Sequence, residues 1–454
     1  MKSWALSAMA MVAGGVLIGA DAAVTHICTD SREAGDGALY FAITGFKQDG
    51  HLFVDDALKR GAIAAVVSEP GEYPYPVILV DDTTLALIAL ARAHLSQARA
   101  KIIAITGSTG KTSTKEMIAA AIGGERSVLK SAGNLNTEIG LPLSALRYQD
   151  EEVLVLEMAM RGLGQIALLC SIAPPDVAVI TNIGVAHLEV LGSRDNIAVA
   201  KAELLRAMKE GAIAVINRDD DYFEYLKGEV KGQVISYGEH PDADFQISEL
   251  SLTENGCYRF SLRQQENSFR VTSPWPGRHN VHNATAALAA AYTIDVPIEQ
   301  AIIGLASCKP FEQRLQIFSL PGDITVIDDT YNANPVSMRS ALYTLADISV
   351  GKRRIAVLGD MLELGVDEIE EHIKVGELAA TICHNVITVG QLSSSMQNVF
   401  AVGGIPSVAT TSNEEAYKVL STMLGADSVV LVKGSRGMHM EEIIERLRGN
   451  GHEA

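Results

Sequence analysis

The segment Ile102-Ile103-Ala104-Ile105-Thr106-Gly107-Ser108-Thr109-Gly110-Lys111-Thr112-Ser113 constrains the fold more than any other part of the chain. A run of β-branched and small apolar residues gives way to a glycine-rich turn, then Lys-Thr, then a helix-forming stretch over 115–122. Such a strand–turn–helix unit holds phosphate. Small residues let backbone N–H groups face phosphate oxygens, the helix N-terminus adds positive potential, the lysine reaches the β- and γ-phosphates, and the threonine hydroxyl can ligate Mg²⁺. The candidate nucleotide contacts are Gly107, Ser108, Thr109, Gly110, Lys111, Thr112 and Ser113. The loop is shorter than the usual Gly-x-x-x-x-Gly-Lys-Ser/Thr, because Ile105 stands where the first glycine falls. A glycine-rich turn carrying a solvated lysine is the other reading that this motif alone leaves open.

With 454 residues the chain exceeds one ordinary core, and two or three domains are expected. From Lys101 onward apolar strands alternate with helical stretches, the pattern of an α/β protein with a mostly parallel sheet. Strands are expected at 102–106, 153–156, 177–181 and 212–216, each followed by a polar residue at the edge where ligands bind such sheets. Alternation over 245–271 around Gly256 predicts an antiparallel hairpin, and a helix over 280–294 closes this unit. A third unit begins near Phe311, with strands at 324–327, 355–358, 386–389 and 429–432 in a doubly wound arrangement. The expected domains are 1–98, 99–310 and 311–454.

A net charge of −18 argues against a nucleic-acid partner or an anionic membrane surface, so anionic substrates must be met by local arginines, lysines and helix N-termini. Five scattered cysteines with no Cys-x-x-Cys read as reduced and cytosolic. Lys2, the apolar run over 4–18 and Ala20-Asp21-Ala22 resemble a secretory signal. Gly14, Gly15 and Gly19 interrupt that run, and the alternative is a helix over 5–13, a glycine turn and a strand around Val16. No other stretch approaches membrane-spanning length without a charge, so membrane insertion is not expected.

Several residues could carry chemistry. Glu157 ends a strand where an acid can become a Mg²⁺ ligand or a helix N-cap. His187 follows another strand end and could serve a metal or phosphate. Lys201 reads by pattern as a solvated lysine on a helix over 196–208. Asn283 offers an amide to a base edge, Arg314 a guanidinium to phosphate, and Asp329 a carboxylate to ribose. No His-Glu-x-x-His, nucleophile elbow or Gly-x-Gly-x-x-Gly occurs, so zinc hydrolases, serine hydrolases and nicotinamide enzymes lack support.

Over nearly its whole length the chain resembles the ATP-dependent Mur ligases of peptidoglycan precursor synthesis. The residues that carry this are the shortened phosphate loop, Thr181 through His187, and Gly277-Arg278-His279-Asn280-Val281-His282-Asn283. Asp30-Ser31-Arg32, Asp49-Gly50-His51, Gly133-Asn134-Leu135-Asn136-Thr137-Glu138-Ile139-Gly140-Leu141-Pro142, Asp328-Asp329-Thr330-Tyr331-Asn332-Ala333-Asn334-Pro335 and Gly359-Asp360-Met361-Leu362-Glu363-Leu364-Gly365 are similar to the branch that adds D-alanyl-D-alanine to UDP-N-acetylmuramoyl-tripeptide. Ala159 departs from the glycine common after Glu-Met.

The resemblance implies an N-terminal domain for the UDP-sugar, a central ATPase and a Rossmann-like C-terminal domain that closes over ATP. It implies a cytoplasmic, monomeric enzyme working through an acyl phosphate, with a part in cell shape and division. Lys111, Glu157, His187 and Lys201 would be catalytic, and Thr112 and Glu157 would hold one Mg²⁺. His187 and Lys201, the latter as a carbamate, would hold a second. Asn283 would meet adenine, Asp329 ribose and Arg314 phosphate. Ser31, Arg32, Gly45, Gln48, His51, Asn136 and Thr137 would contact the UDP-substrate, and Asn332, Asn334 and Arg436 the dipeptide. A sister ligase adding one amino acid, or a nucleotide-binding module without turnover, are the competing readings.

Overall fold

Strand Lys101–Thr106 lies inside a nine-stranded sheet, and its residues are divided between two cores. Ile102 and Ala104 face one apolar cluster, Ile103 and Ile105 the other. A strand covered on both faces must be apolar at every position, which is why this segment reads as a continuous run rather than an alternation. Strand Val153–Glu157 divides in the same way, with Leu154 and Leu156 on one face and Val153 and Val155 on the other. The structure is a computed structural model and describes residues 3–45, 48–185 and 188–449.

The central sheet runs Asn267–Thr272, Tyr258–Gln264, Phe245–Leu252, Gln233–Gly238, Ile213–Asn217, Val177–Ile180, Lys101–Thr106, Val153–Glu157, Val128–Lys130. It is parallel up to Phe245–Leu252 and antiparallel beyond. The expected hairpin is therefore a three-stranded meander, because the chain turns a second time at Gln265 (φ 53°). The helix His279–Tyr292 does not close the domain either; Ile298–Ala306 follows and packs against the helix after the phosphate loop, Lys111–Ile122.

The first sheet has the order Val16–Ile18, Val77–Leu79, Ala64–Val67, Ala38–Phe41, His26–Cys28, parallel apart from Val16–Ile18. The apolar N-terminal run forms helix Leu6–Ala13, with Leu6 and Met9 fully buried, and ends at Gly14 in the left-handed conformation (φ 71°). Helix Thr83–Ser96 of this unit shares one hydrophobic core with the central sheet, and Arg92 reaches across to Ser171 (2.7 Å).

The third sheet runs Gln316–Leu320, Ile324–Asp328, Ser428–Lys433, Arg353–Gly359, Asn385–Val389, Ser407–Thr410, with only the first strand antiparallel. The four expected strands form its middle, and the two edge strands add to them. The five cysteines are free and buried. Among the described residues no helix is long and apolar enough to cross a membrane.

Gly304 is where helix Ile298–Ala306 approaches the C-terminal end of helix Lys111–Ile122. A Cβ there would run into the carbonyl oxygen of Ala120 and lie 3.2 Å from Ala121 Cα. Gly304→Ala must push helix Ile298–Ala306 off its neighbour, at a cost of about 1–3 kcal/mol. Thermal denaturation should show the loss as a lowered melting temperature.

Candidate active site

A cleft of about 1250 Å³ opens at the C-terminal edge of the central sheet, lined by residues of the central and C-terminal domains and by Thr29 of the first. Its floor is the phosphate loop, which neighbouring strand ends clamp from the side. Thr109 N–H and Oγ1 donate to Asn182 Oδ1 (3.0 and 3.2 Å), and the Asn182 amide returns a hydrogen bond to the Thr109 carbonyl (3.1 Å). Thr181 Oγ1 donates to the same carbonyl (2.6 Å), and Gly184 N–H to Ser108 Oγ (2.8 Å). Gly107 takes a positive φ (154°), and a side chain there would collide with the Thr181 hydroxyl. Gly110 is left-handed (φ 79°) and begins helix Lys111–Ile122. Thr181 and Asn182 were legible as part of a strand-end signature, but their clamp on the loop was not.

Glu157 is 2% exposed and held on every side. Thr112 Oγ1 donates to its Oε2 (2.9 Å), Asn136 Nδ2 to its Oε1 (2.8 Å), and its own N–H donates to Ser131 Oγ (3.2 Å). It is therefore no helix cap but an oriented carboxylate beside the loop threonine. Two hard oxygen donors at the end of a phosphate loop are the donor set Mg²⁺ prefers. Lys111 Nζ turns back onto the Gly107 carbonyl (2.8 Å), and burial lowers its pKa, against the opposing pull of Glu157.

Lys201 corrects the pattern-based reading. It is not solvated but 2% exposed on helix Arg194–Arg206, and burial, reinforced by the like charge of Lys111, drives its pKa well below the ordinary lysine value. Glu203, on the same helix, accepts from Gly164 N–H (2.6 Å) and Ala167 N–H (3.0 Å) and so caps the helix Gln165–Ile172. His187 lies outside the described residues.

The C-terminal domain supplies the opposite wall. Arg314 Nη2 donates to Thr112 Oγ1 (3.2 Å), and its guanidinium lies 4.1 Å from the centre of the Tyr331 ring. The flanking residues Gln313 (φ 60°) and Leu315 (φ 48°) are both left-handed, strain that turns the chain so that Arg314 crosses the domain boundary. Asp329 is held by Lys433 Nζ (2.6 Å) and Leu315 N–H (3.2 Å). Asn283 sits under Gly110, accepts from Thr114 Oγ1 (3.3 Å) and donates to Asn280 (2.9 Å).

The remaining candidates are less concentrated. Asn332 accepts from Arg436 N–H (3.2 Å), Arg436 donates to Gln313 (3.0 Å), and all three line the cleft or its small neighbour. Asn334 lines the cleft too, but its side chain caps helix Pro335–Ile348 in a reciprocal box with Ser337. Asn136 and Thr137 line the cleft, whereas Ser31, Arg32, Gly45, Gln48 and His51 do not. Ser31 donates to Asp56 (2.7 Å), and the exposed Arg32 folds onto Asp30. His51 is engaged at both ring nitrogens, by Asp49 (2.7 Å) and Ser68 N–H (3.0 Å). Gly45 N–H donates to the Gln48 carbonyl (2.9 Å).

Taken together, a clamped phosphate loop, an oriented carboxylate and an arginine crossing from a third domain define a nucleotide-phosphate site in an α/β protein of three domains. Comparison with known proteins assigns each part. The Mur ligase family catalytic domain matches residues 23–119, the Mur ligase middle domain 105–291, and the Mur ligase glutamate ligase domain 313–436. A UDP-N-acetylmuramoyl-tripeptide–D-alanyl-D-alanine ligase of Escherichia coli K12 is 35% identical over 99% of this chain and 100% of its own. One from Bacillus subtilis 168 is 36% identical over 93% and 92%. A crystal structure of MurF from Acinetobacter baumannii superposes with a TM-score of 0.91 at 33% identity, covering 99% of both chains. MurF ligase of Thermotoga maritima, solved in complex with ADP, gives 0.83 at 32% identity, over 94% of this chain and 98% of that one. The chain belongs to the Mur ligase family and is an ATP-dependent ligase.

His279, at the start of helix His279–Tyr292, gives a pH test. Burial, aided by Lys433 and opposed by Asp329, pushes its pKa down to about 4. The unfolded chain takes up this proton near pH 6.5 and the folded chain only near 4, so stability is complete above 6.5 and falls through that window. The loss is about 3 kcal/mol at most. His279→Gln should flatten denaturant-measured stability between pH 6.5 and 4 relative to the parent chain.

Proposed function

We propose that this ligase joins D-alanyl-D-alanine to the terminal carboxylate of UDP-N-acetylmuramoyl-tripeptide, using ATP. The observation that carries the reading is the meeting of Thr112, Glu157 and Arg314 at one end of the phosphate loop, with Lys111 beside them. Full-length similarity to relatives that bear this activity in their names supports the choice of substrates.

A carboxylate and an amine do not condense directly, because oxide is too poor a leaving group. In the proposed reaction a carboxylate oxygen attacks the γ-phosphorus and the bond to the ADP oxygen breaks, giving an acyl phosphate. The dipeptide amine then attacks the acyl carbon, loses a proton, and expels phosphate. Two anions must meet in the first step, so the chain's task is to position and neutralise. The N–H groups at the start of helix Lys111–Ile122 and the Lys111 ammonium receive the triphosphate, Lys111 exchanging the Gly107 carbonyl for phosphate oxygens. Arg314 brings charge from the C-terminal domain only when that domain is in place. Asn283 supports Gly110 and offers the loop's far side to adenine, and Asp329 faces ribose.

Thr112 and Glu157 would hold one Mg²⁺, and His187 with Lys201 a second; bound there, the metal shields the phosphate charge as the nucleophile approaches. Lys201 suits carbamylation because its burial favours the neutral amine that must attack carbon dioxide. The free, buried cysteines and the use of ATP support a cytoplasmic setting for this reaction.

Phosphate release tests the reading, with ATP, Mg²⁺ and UDP-muramoyl-tripeptide present and D-Ala-D-Ala or single amino acids added in parallel. Release with the dipeptide alone, and a product heavier by one dipeptide, is expected. Stimulation by a single amino acid would move the chain to a sister ligase. Lys201→Ala should lose most of the activity, and added bicarbonate should not restore it; near-parental rates would overturn the carbamate.

A further inference from the structure

Lys115 is fully buried, yet the mechanism gives it no part. It lies on the first turns of the helix that follows the phosphate loop, and its ammonium meets its own helix and two distant segments. It donates to the carbonyl of Gly133 (3.0 Å), pairs with Glu116 (3.2 Å), and lies 5.9 Å from the centre of the Phe311 ring. Glu116 is shared with Lys130. Enclosing a lysine is costly, and a well-packed apolar side chain would serve stability at least as well. What distinguishes this ion is where its partners lead.

Gly133 is left-handed (φ 51°) and stands inside a turn closed by Leu135 N–H to the Ala132 carbonyl (3.0 Å) and Asn136 N–H to the Asn134 carbonyl (2.8 Å). That turn delivers Asn136 to Glu157. Phe311 packs on the edge of the central core and begins the crossing to Arg314, which reaches Thr112. Thr112, Gly133, Asn134 and Phe311 also line one cavity of about 200 Å³ beside the main cleft. Lys115 therefore touches the roots of both segments that orient the Thr112–Glu157 pair.

We propose that Lys115 is a positioning residue for the magnesium-bearing end of the site. It pins the Gly133 turn, so that Asn136 fixes the Glu157 carboxylate, and it docks Phe311, so that Arg314 arrives at Thr112. The proposal rests on the ligase reading above, and parental phosphate release, run in parallel, tests that reading separately.

The test compares Lys115→Met and Lys115→Gln in the full chain, alone and with Asn136→Ala, across a Mg²⁺ titration. Methionine keeps the volume and removes the donor; glutamine keeps a donor for Gly133 without the charge. Lys115→Met should lower kcat roughly tenfold to a hundredfold and raise the half-saturating Mg²⁺, with KM for D-Ala-D-Ala changed less than about twofold. Glutamine should recover part of the loss, through Gly133, and Lys115→Met combined with Asn136→Ala should lose clearly less than the product of the two separate losses. Equal losses in the methionine and glutamine variants, or losses that multiply with Asn136→Ala, would overturn the proposal. If Lys115→Met does not fold, Phe311→Leu, which leaves the buried ion in place, decides instead. A lowered kcat with a raised Mg²⁺ requirement supports the role, and parental values overturn it.

Discussion

The site depends on the close approach of the phosphate loop to the neighbouring strand end. Gly107 lies against the Thr181 hydroxyl with no room for a side chain, and Asn182 bonds both donors and the carbonyl of Thr109. A loop this short has too few residues to hold its own shape, and the adjacent strand supplies what it lacks. Because strands Lys101–Thr106 and Val177–Ile180 are neighbours in a parallel sheet, both loops emerge at the same edge. With the Ser108 and Thr109 N–H groups held by Asn182, the shape of the loop, and with it the start of helix Lys111–Ile122, is set before any ligand arrives, which is what electrostatic preorganisation requires.

The chain must also hold anions with a strongly acidic sequence. It does so by gathering cations from two domains around the phosphate loop. Lys111 and Lys201 lie close enough that Lys111 lowers the Lys201 pKa, Arg314 enters from the third domain, and Lys433 fixes Asp329 from within that domain. Assembly of the charged site is therefore tied to the arrangement of domains. The first domain is joined to the centre by a shared apolar core, whereas the third meets the centre through polar contacts such as Tyr258 to Asp347 (2.6 Å). A polar boundary of this kind separates at lower cost than an apolar one, and it is the boundary that Arg314 crosses.

Much of this was legible in the sequence where local chemistry dominates. The phosphate loop, the strands on either side of it and the acid at Glu157 each follow from a short pattern. The edge strands Gln316–Leu320 and Ser407–Thr410 and the third strand of the meander were not read, because edge strands carry weak apolar periodicity; helix Ile298–Ala306, though amphipathic, was passed over because it follows a helix already taken as the end of the unit. Lys201 shows the limit most plainly. Its sequence neighbours describe an ordinary amphipathic helix, and only the packing of that helix against the sheet turns a solvated cation into a buried amine.

The sequence by itself determined the α/β class, the place of the phosphate loop and the residue types available to it, since apolar strand patterning and a glycine-rich turn ahead of Lys-Thr are local signals. Tertiary structure alone decided which side chains act together. Asn136 and Glu157 are separated by 21 positions and Arg314 and Thr112 by 202, and only folding brings each pair into hydrogen-bonding range. Hydrogen bonds and charge pairs act over a few ångströms, so chemistry between distant segments stays invisible until strand order and domain packing are known.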